Sequence, residues 1–230
     1  SGSNKNIMTI LEFQGHLYAS GLFTSINGVA CNGMARWDGT QWHASPIPRS
    51  TGGIRLLHFD GTQWHAEKLG TTTAFSAVFG SSRSDVWVVG YGSDAWHYDG
   101  KSWSASPSGT VEALHGVYCL GQRDAWAVGV DGLALHYDGE GWHKVDSGSK
   151  ETLLSTWGSG ANDVWMVGRR GTLLRWDGKT IKKGGSVSES TTLFSVFGFD
   201  SSDVWITGSS GMTRHFDGTE WRAVNSSYYG

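Results

Sequence analysis

Residues 153–183 read LLSTWGSGANDVWMVGRRGTLLRWDGKTIKK, and four short apolar segments stand out in them: Leu153–Trp157, Val164–Val167, Thr172–Trp176 and a weaker one at Thr180–Lys183. Segments of about five residues, rich in β-branched and aromatic side chains and bounded by Gly, Ser, Asn and Asp, predict strands. No helical period competes with them. The stretch is also one of a series. Asp-(Val/Ala)-Trp recurs at Asp85-Val86-Trp87, Asp124-Ala125-Trp126, Asp163-Val164-Trp165 and Asp203-Val204-Trp205, in steps of 39, 39 and 40 residues. A second marker keeps the same phase: Tyr98-Asp99-Gly100 with Trp103, Tyr137-Asp138-Gly139 with Trp142, and Phe216-Asp217-Gly218 with Trp221. In the remaining copy Trp176-Asp177-Gly178 is followed by Ile181, so the last slot asks for volume rather than for an indole. The Asp-Gly pair predicts a two-residue hairpin turn, because glycine supplies the positive φ that such turns demand. Segments such as Val86-Trp87-Val88-Val89 are apolar on both sides of the strand, so both faces of each sheet must be covered.

Four antiparallel strands in each repeat of about 40 residues, covered on both faces by neighbouring repeats, define a β-propeller blade. A two-sheet sandwich would alternate apolar and polar residues and would not repeat its sequence at this regularity. The Gly-His and Trp-Asp markers of WD40 repeats are missing from the expected places. Gly129-Val130-Asp131-Gly132 through Trp142, and Gly168-Arg169-Arg170-Gly171 through Asp177-Gly178, instead place a Gly-x-x-Gly turn ahead of a strand that ends in Asp, Gly and a large residue. In this the chain resembles the Asp-box or BNR-like repeats of sialidase-type and photosystem-assembly-factor-like propellers, over residues 73–225. It lacks the Ser/Thr that opens the full motif and has one residue fewer between Asp and Gly. The resemblance implies an all-β propeller and leaves the ligand open.

The first third departs from this pattern. Leu17-Tyr18-Ala19-Ser20-Gly21 and the segment from Gly33 to Trp42 predict a divergent blade over 7–44 with an enlarged loop between its second and third strands. A truncated blade follows over 45–72, since Asp38 and Asp60 stand only 22 residues apart. Asp38 to Ala44 is repeated letter for letter at Asp60 to Ala66, which a duplication or an engineered junction accounts for better than chance does. The segment Ser45-Pro46-Ile47-Pro48-Arg49 could supply one further strand, but its two prolines confine it to an edge. The expected organisation is a single propeller domain over 1–230, with regular blades at 73–110, 111–150, 151–190 and 191–225. That makes five full blades plus a half, on a five- or six-position ring. An open edge invites pairing with another chain; the sequence favours a monomer with one stunted blade over an assembly in which a second molecule covers the incomplete blade.

Composition excludes several classes of function. Eighteen Lys and Arg against 21 Asp and Glu give a net charge of −3 with no basic stripe, which excludes a nucleic-acid binder. Apolar runs are a few residues long, far below the ~20 of a spanning helix, so no membrane insertion is expected. With 38% hydrophobic and 17% charged residues, the chain has a core to build and is not a disordered tail. Its 34 glycines and 13 tryptophans suit short strands and tight turns. Cys31 and Cys119 are too few for a disulfide framework or a four-ligand zinc site. The chain reads as a soluble mature protein, with an extracellular or periplasmic location expected. It contains no Gly-x-Ser-x-Gly, His-Glu-x-x-His, Cys-x-x-Cys or phosphate-binding loop, and no cofactor is expected.

The remaining candidates are repeated polar residues. His58, His97, His136 and His215 precede the aromatic-Asp-Gly turns, with Arg36 and Arg175 in the other two copies. Equivalent positions on successive blades are rotated apart and cannot meet one ion at the ~2 Å of ligation. A hydrogen bond to a turn carbonyl or carboxylate, or stacking on tryptophan, is expected instead. Asp85, Asp124, Asp163 and Asp203 are expected to form turns by accepting the backbone amides that follow them. No pair among them reads as the facing carboxylates, ~5–9 Å apart, of a glycoside hydrolase. Function should lie where the copies disagree, since what every blade shares builds the blade. The loop after the second strand varies most: Tyr91-Gly92-Ser93-Asp94, Val130-Asp131-Gly132, Arg169-Arg170-Gly171 and Ser209-Ser210-Gly211. Tyr91, Asp94, Asp131, Arg169 and Arg170 are therefore the predicted ligand-binding patch of a non-enzymatic propeller that recognises a protein or a carbohydrate. Two alternatives stand beside it. One is a lectin using Trp103, Trp142 and Trp221, whose competing role is packing the outer strand; the other is a glycoside or ester hydrolase.

Overall fold

Each Asp-(Val/Ala)-Trp triplet opens the second strand of a four-stranded antiparallel sheet, and its tryptophan is the side chain on which the blade is assembled. The computed structural model describes residues 7–13, 16–21, 25–26, 29–30, 34–44, 56–59, 64–67, 69, 71, 73–92 and 94–224. The chain divides into two units, Ser1–Gly70 and Thr71–Gly230. In the second unit the innermost strands are Phe75–Ser82, Leu114–Gly121, Leu153–Gly160 and Leu193–Asp200. The second strands are Asp85–Gly90, Asp124–Gly129, Asp163–Gly168 and Asp203–Gly208. The third are Asp94–Tyr98, Ala134–Tyr137, Leu173–Trp176 and Thr213–Phe216, and the outermost are Trp103–Pro107, Trp142–Val145, Ile181–Lys183 and Trp221–Ala223.

The first unit holds a fifth sheet of the same order, Ile7–Phe13, His16–Gly21, Met34–Trp37 and Trp42–Ala44. Its enlarged loop carries a small hairpin of its own, Ser25–Ile26 with Val29–Ala30. Leu57–Phe59 pairs with Trp64–Ala66 as an isolated two-stranded sheet, the expected half blade. The all-β propeller fold with five full blades and a half is therefore as the repeats predicted. Cys31, the proline segment 45–49 and Asp60 lie outside the described residues.

Register is conserved from blade to blade. Trp87, Trp126, Trp165 and Trp205 each stand opposite an aromatic of the innermost strand, respectively Phe79, Tyr118, Trp157 and Phe197. On the other side they face His97, His136, Arg175 and His215. The first three tryptophans are completely buried because each lies against the following blade. Trp87 meets Tyr137 and Trp142 at 4.7 and 5.2 Å, Trp126 meets Trp176 at 5.2 Å, and Trp165 meets Phe216 and Trp221 at 5.2 Å each. A second layer of the same interface sits on the innermost strands. Phe79, Tyr118 and Trp157 project onto the following blade where that blade carries Cys119, Gly158 and Gly198. A Cβ at Gly198 would come 2.6 Å from the Trp157 ring, so glycine there makes room for the indole. Burial pushes the Cys119 thiol up to about 12, so it serves as a small apolar residue under Phe79.

Two local expectations are corrected. The hairpin between third and outermost strands is four residues long, not two: Tyr98 pairs with Trp103 and Tyr137 with Trp142, and 99–102 and 138–141 form the loops. The cause is the aspartate side chain, which accepts both following amides and so closes a wider loop. Asp99 Oδ1 takes Lys101 N and Ser102 N at 2.8 Å, while glycine at the next position adopts φ 93. The second correction concerns the repeated Asp85, Asp124, Asp163 and Asp203. They reach across the sheet to the residue 12 positions on rather than forming turns. His97 Nε2 donates to Asp85 at 2.8 Å, His136 Nε2 to Asp124 at 2.9 Å, Arg175 Nε to Asp163 at 2.6 Å and His215 Nε2 to Asp203 at 2.8 Å. Ser81 and Ser159 hydroxyls donate to the other oxygen of Asp85 and Asp163. Each imidazole also stacks on its tryptophan, at 4.3, 4.5 and 4.4 Å, and the Arg175 guanidinium lies 4.7 Å over Trp165. The expected carboxylate bond and tryptophan stacking of these histidines are thus observed together. His58 differs, facing Glu67 across its hairpin at 3.5 Å.

The hairpin aspartates give the fold an acid limit. Backbone amides of Ser102 and Lys101 hold Asp99 below the usual carboxylate range, those of Glu140 and Gly141 do so for Asp138, the Lys182 ammonium leads at Asp177, and the Thr219 hydroxyl leads at Asp217. A folded-state pKa below the unfolded ~3.9 means that the stabilisation is complete above that value and is lost as pH falls through the folded values. Thermal melts should be insensitive to these groups at neutral pH and fall steeply below about pH 4. Changing Asp99, Asp138, Asp177 and Asp217 together to Asn, which keeps the acceptor but cannot titrate, should flatten that acid limb. An unchanged acid limb would contradict the assignment.

Candidate binding face

Where the second strand ends, each of these four blades carries a glycine, buried at Gly90, Gly129 and Gly168 and half-buried at Gly208, at which a Cβ would strike the carbonyl preceding the innermost strand. The residue after the glycine is fixed by the same close approach. Tyr91 N donates to Ala74 O at 2.9 Å, Val130 N to Ala113 O at 3.1 Å, Arg169 N to Thr152 O at 2.9 Å and Ser209 N to Thr192 O at 2.8 Å. Four different side chains are thereby presented at one equivalent point of a repeated scaffold. The next residue turns left-handed, Asp131 at φ 52, Arg170 at φ 51 and Ser210 at φ 59, before a glycine at φ 65–70 completes the turn. Holding non-glycine residues there costs on the order of 1 kcal/mol each, which rigid flanking bonds sustain.

Side chains from three successive blades converge at this end. Tyr91, 56% exposed, meets the His115 ring edge-on with centroids 6.0 Å apart. His115 is the second residue of its innermost strand and is half-buried. Burial holds its imidazole below the usual range, and the nearby Arg169 guanidinium lowers it further. Arg169 is exposed and has no ion-pair partner among the described residues. Arg170 differs: it faces Glu151 at 3.3 Å and Glu189 at 2.8 Å, so its charge is already matched within the loops. On the fourth blade Phe194, 56% exposed, holds the register position of His115.

Of the five predicted residues, Tyr91 meets His115 edge-on, and Arg169 is near enough to the same imidazole to act on it electrostatically. Arg170 lies beside them but is held by its own carboxylates. Asp131 stands exposed on its loop, with no hydrogen bond or ion pair to the other four among the described residues. Asp94 opens the third strand of its blade, and its side chain lies outside the described residues. Sequence reasoning missed His115 and Phe194. The signal was available in the disagreement among Ser76, His115, Leu154 and Phe194 at one repeated position, but it lay on a strand rather than in a loop. Among the described residues no group of His, Cys, Asp and Glu has the grouping of a metal site. The tryptophans considered for sugar stacking are engaged elsewhere: Trp142 is buried against Trp87, Trp221 packs on Trp165 and donates to Gly184 O at 3.0 Å, and Trp103 lies on Tyr98 at 5.3 Å.

The pairing of Arg169 with His115 is testable by titration. Arg169→Ala removes a like charge, so the His115 pKa should rise while remaining below its ordinary value because the burial persists. Following the His115 ring protons by NMR against pH would show the shift; an unmoved midpoint would separate the two residues.

Comparison with known proteins places the fold. No protein-family model matches the chain, and no curated protein matches it. Among solved structures it is similar to "YCF48 bound to D1 peptide", with a TM-score of 0.66 at 12% identity over 94% of this chain and 80% of that one. YCF48 from Cyanidioschyzon merolae aligns with a TM-score of 0.66 at 15% identity over 88% of this chain and 77% of that one. A streptogramin B lyase structure gives 0.65 at 11% identity over 94% and 67%. At such identities the likeness is one of architecture, and the photosystem-assembly-factor-like resemblance in the repeats agrees with it.

Proposed function

We propose that the chain is a non-enzymatic binding propeller that takes an extended segment of a protein across the loop face bearing Tyr91, His115 and Arg169, with Phe194 extending the same face. The observation that carries this reading is the convergence of three unlike, accessible side chains from three successive blades, on a framework whose other positions repeat. Arg169 supports it, since an arginine without a carboxylate beside one that has two is available to a ligand. Tyrosine and arginine are the side chains from which interface hot spots are most often built. A bound peptide in a neighbour of the same architecture accords with this use of a propeller.

Probing an array of immobilised 12-residue peptides of varied charge with the purified chain, and measuring the peptides it retains by calorimetry, tests the proposal. Arg169→Glu should weaken binding by about tenfold or more, a loss of ~1.4 kcal/mol or greater, whereas Arg170→Ala should change it little. Retention of no peptide, or equal losses from the two variants, would overturn it. Binding on a glycan array abolished by Trp103→Ala would transfer the function to a lectin.

A further inference from the structure

Among the described residues, His115 is the histidine of the four regular blades that has no carboxylate beside it. His97, His136 and His215 are bound to Asp85, Asp124 and Asp203, and the exposed His143 faces Asp138 at 3.0 Å. His115 has an aromatic edge and a cation instead. Its backbone is fixed from two neighbouring blades. The Ser76 hydroxyl of the preceding blade donates to Leu114 O, and Gly116 lies so close to the following blade that a Cβ on it would stand 3.0 Å from Ser155 Cα and 3.1 Å from Leu154 O. That following blade carries Arg169, whose amide is tied to Thr152 O, two residues before Leu154. The preceding blade contributes Tyr91, whose ring stands edge-on to the imidazole at 6.0 Å. At the equivalent strand position the other three blades carry Ser76, Leu154 and Phe194, none of which titrates.

The neighbouring Arg170 displays the matched case on the same loops, with Glu151 at 3.3 Å and Glu189 at 2.8 Å. Arg169 has no such partner among the described residues, and a planar guanidinium is suited to take one. We infer that the protein segment taken at the loop face carries a carboxylate that seats on Arg169, and that His115 binds a proton from water as it arrives; this rests on the binding reading proposed above and adds the chemistry of the ligand and its regulation. In the free protein, burial and the Arg169 charge both disfavour the imidazolium. A carboxylate on Arg169 cancels that charge and places a negative group near the ring, so the second effect is removed and reversed. Tyr91 and Arg169 are the ring and the charge that act on His115 among the described residues, and no carboxylate of the chain does so beforehand. The bound protein therefore holds the proton to higher pH than the free one. Affinity is greatest below the free value, falls as pH rises through the bound value and levels off above it. The ligand's own carboxylate stays ionised down to ~4. Mild acidification thus strengthens binding, whereas an ion pair with Arg169 alone would be flat across the same range.

Calorimetry of the full chain near neutral pH in PIPES and in Bis-Tris, buffers of unlike ionisation enthalpy, counts the protons taken up. The probes are the most acidic 12-residue peptide that the array retains and its counterpart with every Asp and Glu changed to Asn and Gln. The acidic peptide should bind with proton uptake, and at least about threefold more tightly in mild acid than at slightly alkaline pH. The amide counterpart should bind about tenfold more weakly and take up no proton. In the wild type, saturation with the acidic peptide should move the His115 ring-proton midpoint to higher pH. His115→Gln, with its fold checked by circular dichroism, should abolish the uptake and the pH slope while the preference for the acidic peptide persists, and Arg169→Gln should lose that preference. Equal binding of the two peptides, or an acidic peptide bound with no uptake and an unmoved His115 midpoint, overturns the inference and leaves the binding reading standing. Uptake that survives His115→Gln places the proton elsewhere and overturns it as well. Retention of no peptide overturns both.

Discussion

Replacing Trp126 with Ala is expected to destabilise the Thr71–Gly230 unit by about 3–5 kcal/mol, the range for removing a large aromatic from a packed core. Trp126 is fully buried, stacks on His136 at 4.5 Å and meets Trp176 of the following blade at 5.2 Å. Its removal therefore opens a cavity inside one blade and strips the interface with the next. The rigid sheets on either side cannot collapse into the space without breaking their ladders. Trp103→Ala is the control: this outer-strand ring is half-buried and its ring contact is with Tyr98 of its own blade, so the cost should be about 1 kcal/mol. Urea unfolding followed by far-ultraviolet circular dichroism measures both. Similar midpoints for the two variants would show that blade-to-blade packing does not carry the stability.

The second large effect is expected at a polar group. Asp85 is completely buried and accepts hydrogen bonds from the Ser81 hydroxyl and the His97 ring. Asp85→Ala leaves both donors facing an apolar void, which should cost about 2–4 kcal/mol. Asp124→Ala should cost less, because Leu120 stands in the place of the serine and the Asp124 and His136 side chains retain access to water. A double-mutant cycle of Asp85→Ala with His97→Phe should recover part of the loss, since replacing both partners removes the orphaned ring nitrogen. If the two aspartates ranked the other way, burial would not be what sets the value of this network.

The repeats made the blades legible because what defines a blade is volume at fixed spacing. The Asp-(Val/Ala)-Trp triplets marked the second strands, the aromatic-Asp-Gly turns the outer hairpins, and the mismatch between inner segments and hairpins the half blade at Leu57–Ala66. What was not legible depended on partners across the sheet. Asp85 looked like a turn former because a Gly/Ser-rich stretch precedes it, yet its carboxylate is used 12 residues away by His97. The same network tolerates Arg175 for histidine, since a guanidinium can both bond the carboxylate and cover the indole. The hairpin length was misjudged because the Asp side chain, not the backbone alone, closes the turn. At the candidate face, Tyr91 and Arg169 could be picked out from loop divergence, but their connection runs through His115 on a strand. The matching of Arg170 by Glu151 and Glu189 joins three loops that no local pattern relates.

Ligand recognition at the loop face where the blades differ, and not at the outer strands where they agree, has a direct signature in solution. It is tested most directly by titrating the nitrogen-15-labelled chain with a peptide retained on the array and mapping which amide and side-chain resonances move. The expected shifts are confined to Tyr91, His115, Arg169, Phe194 and their immediate neighbours, with the His115 ring among the largest. Shifts centred on Trp103, Trp142 and Trp221, with the Tyr91 and Arg169 signals unmoved, would contradict it.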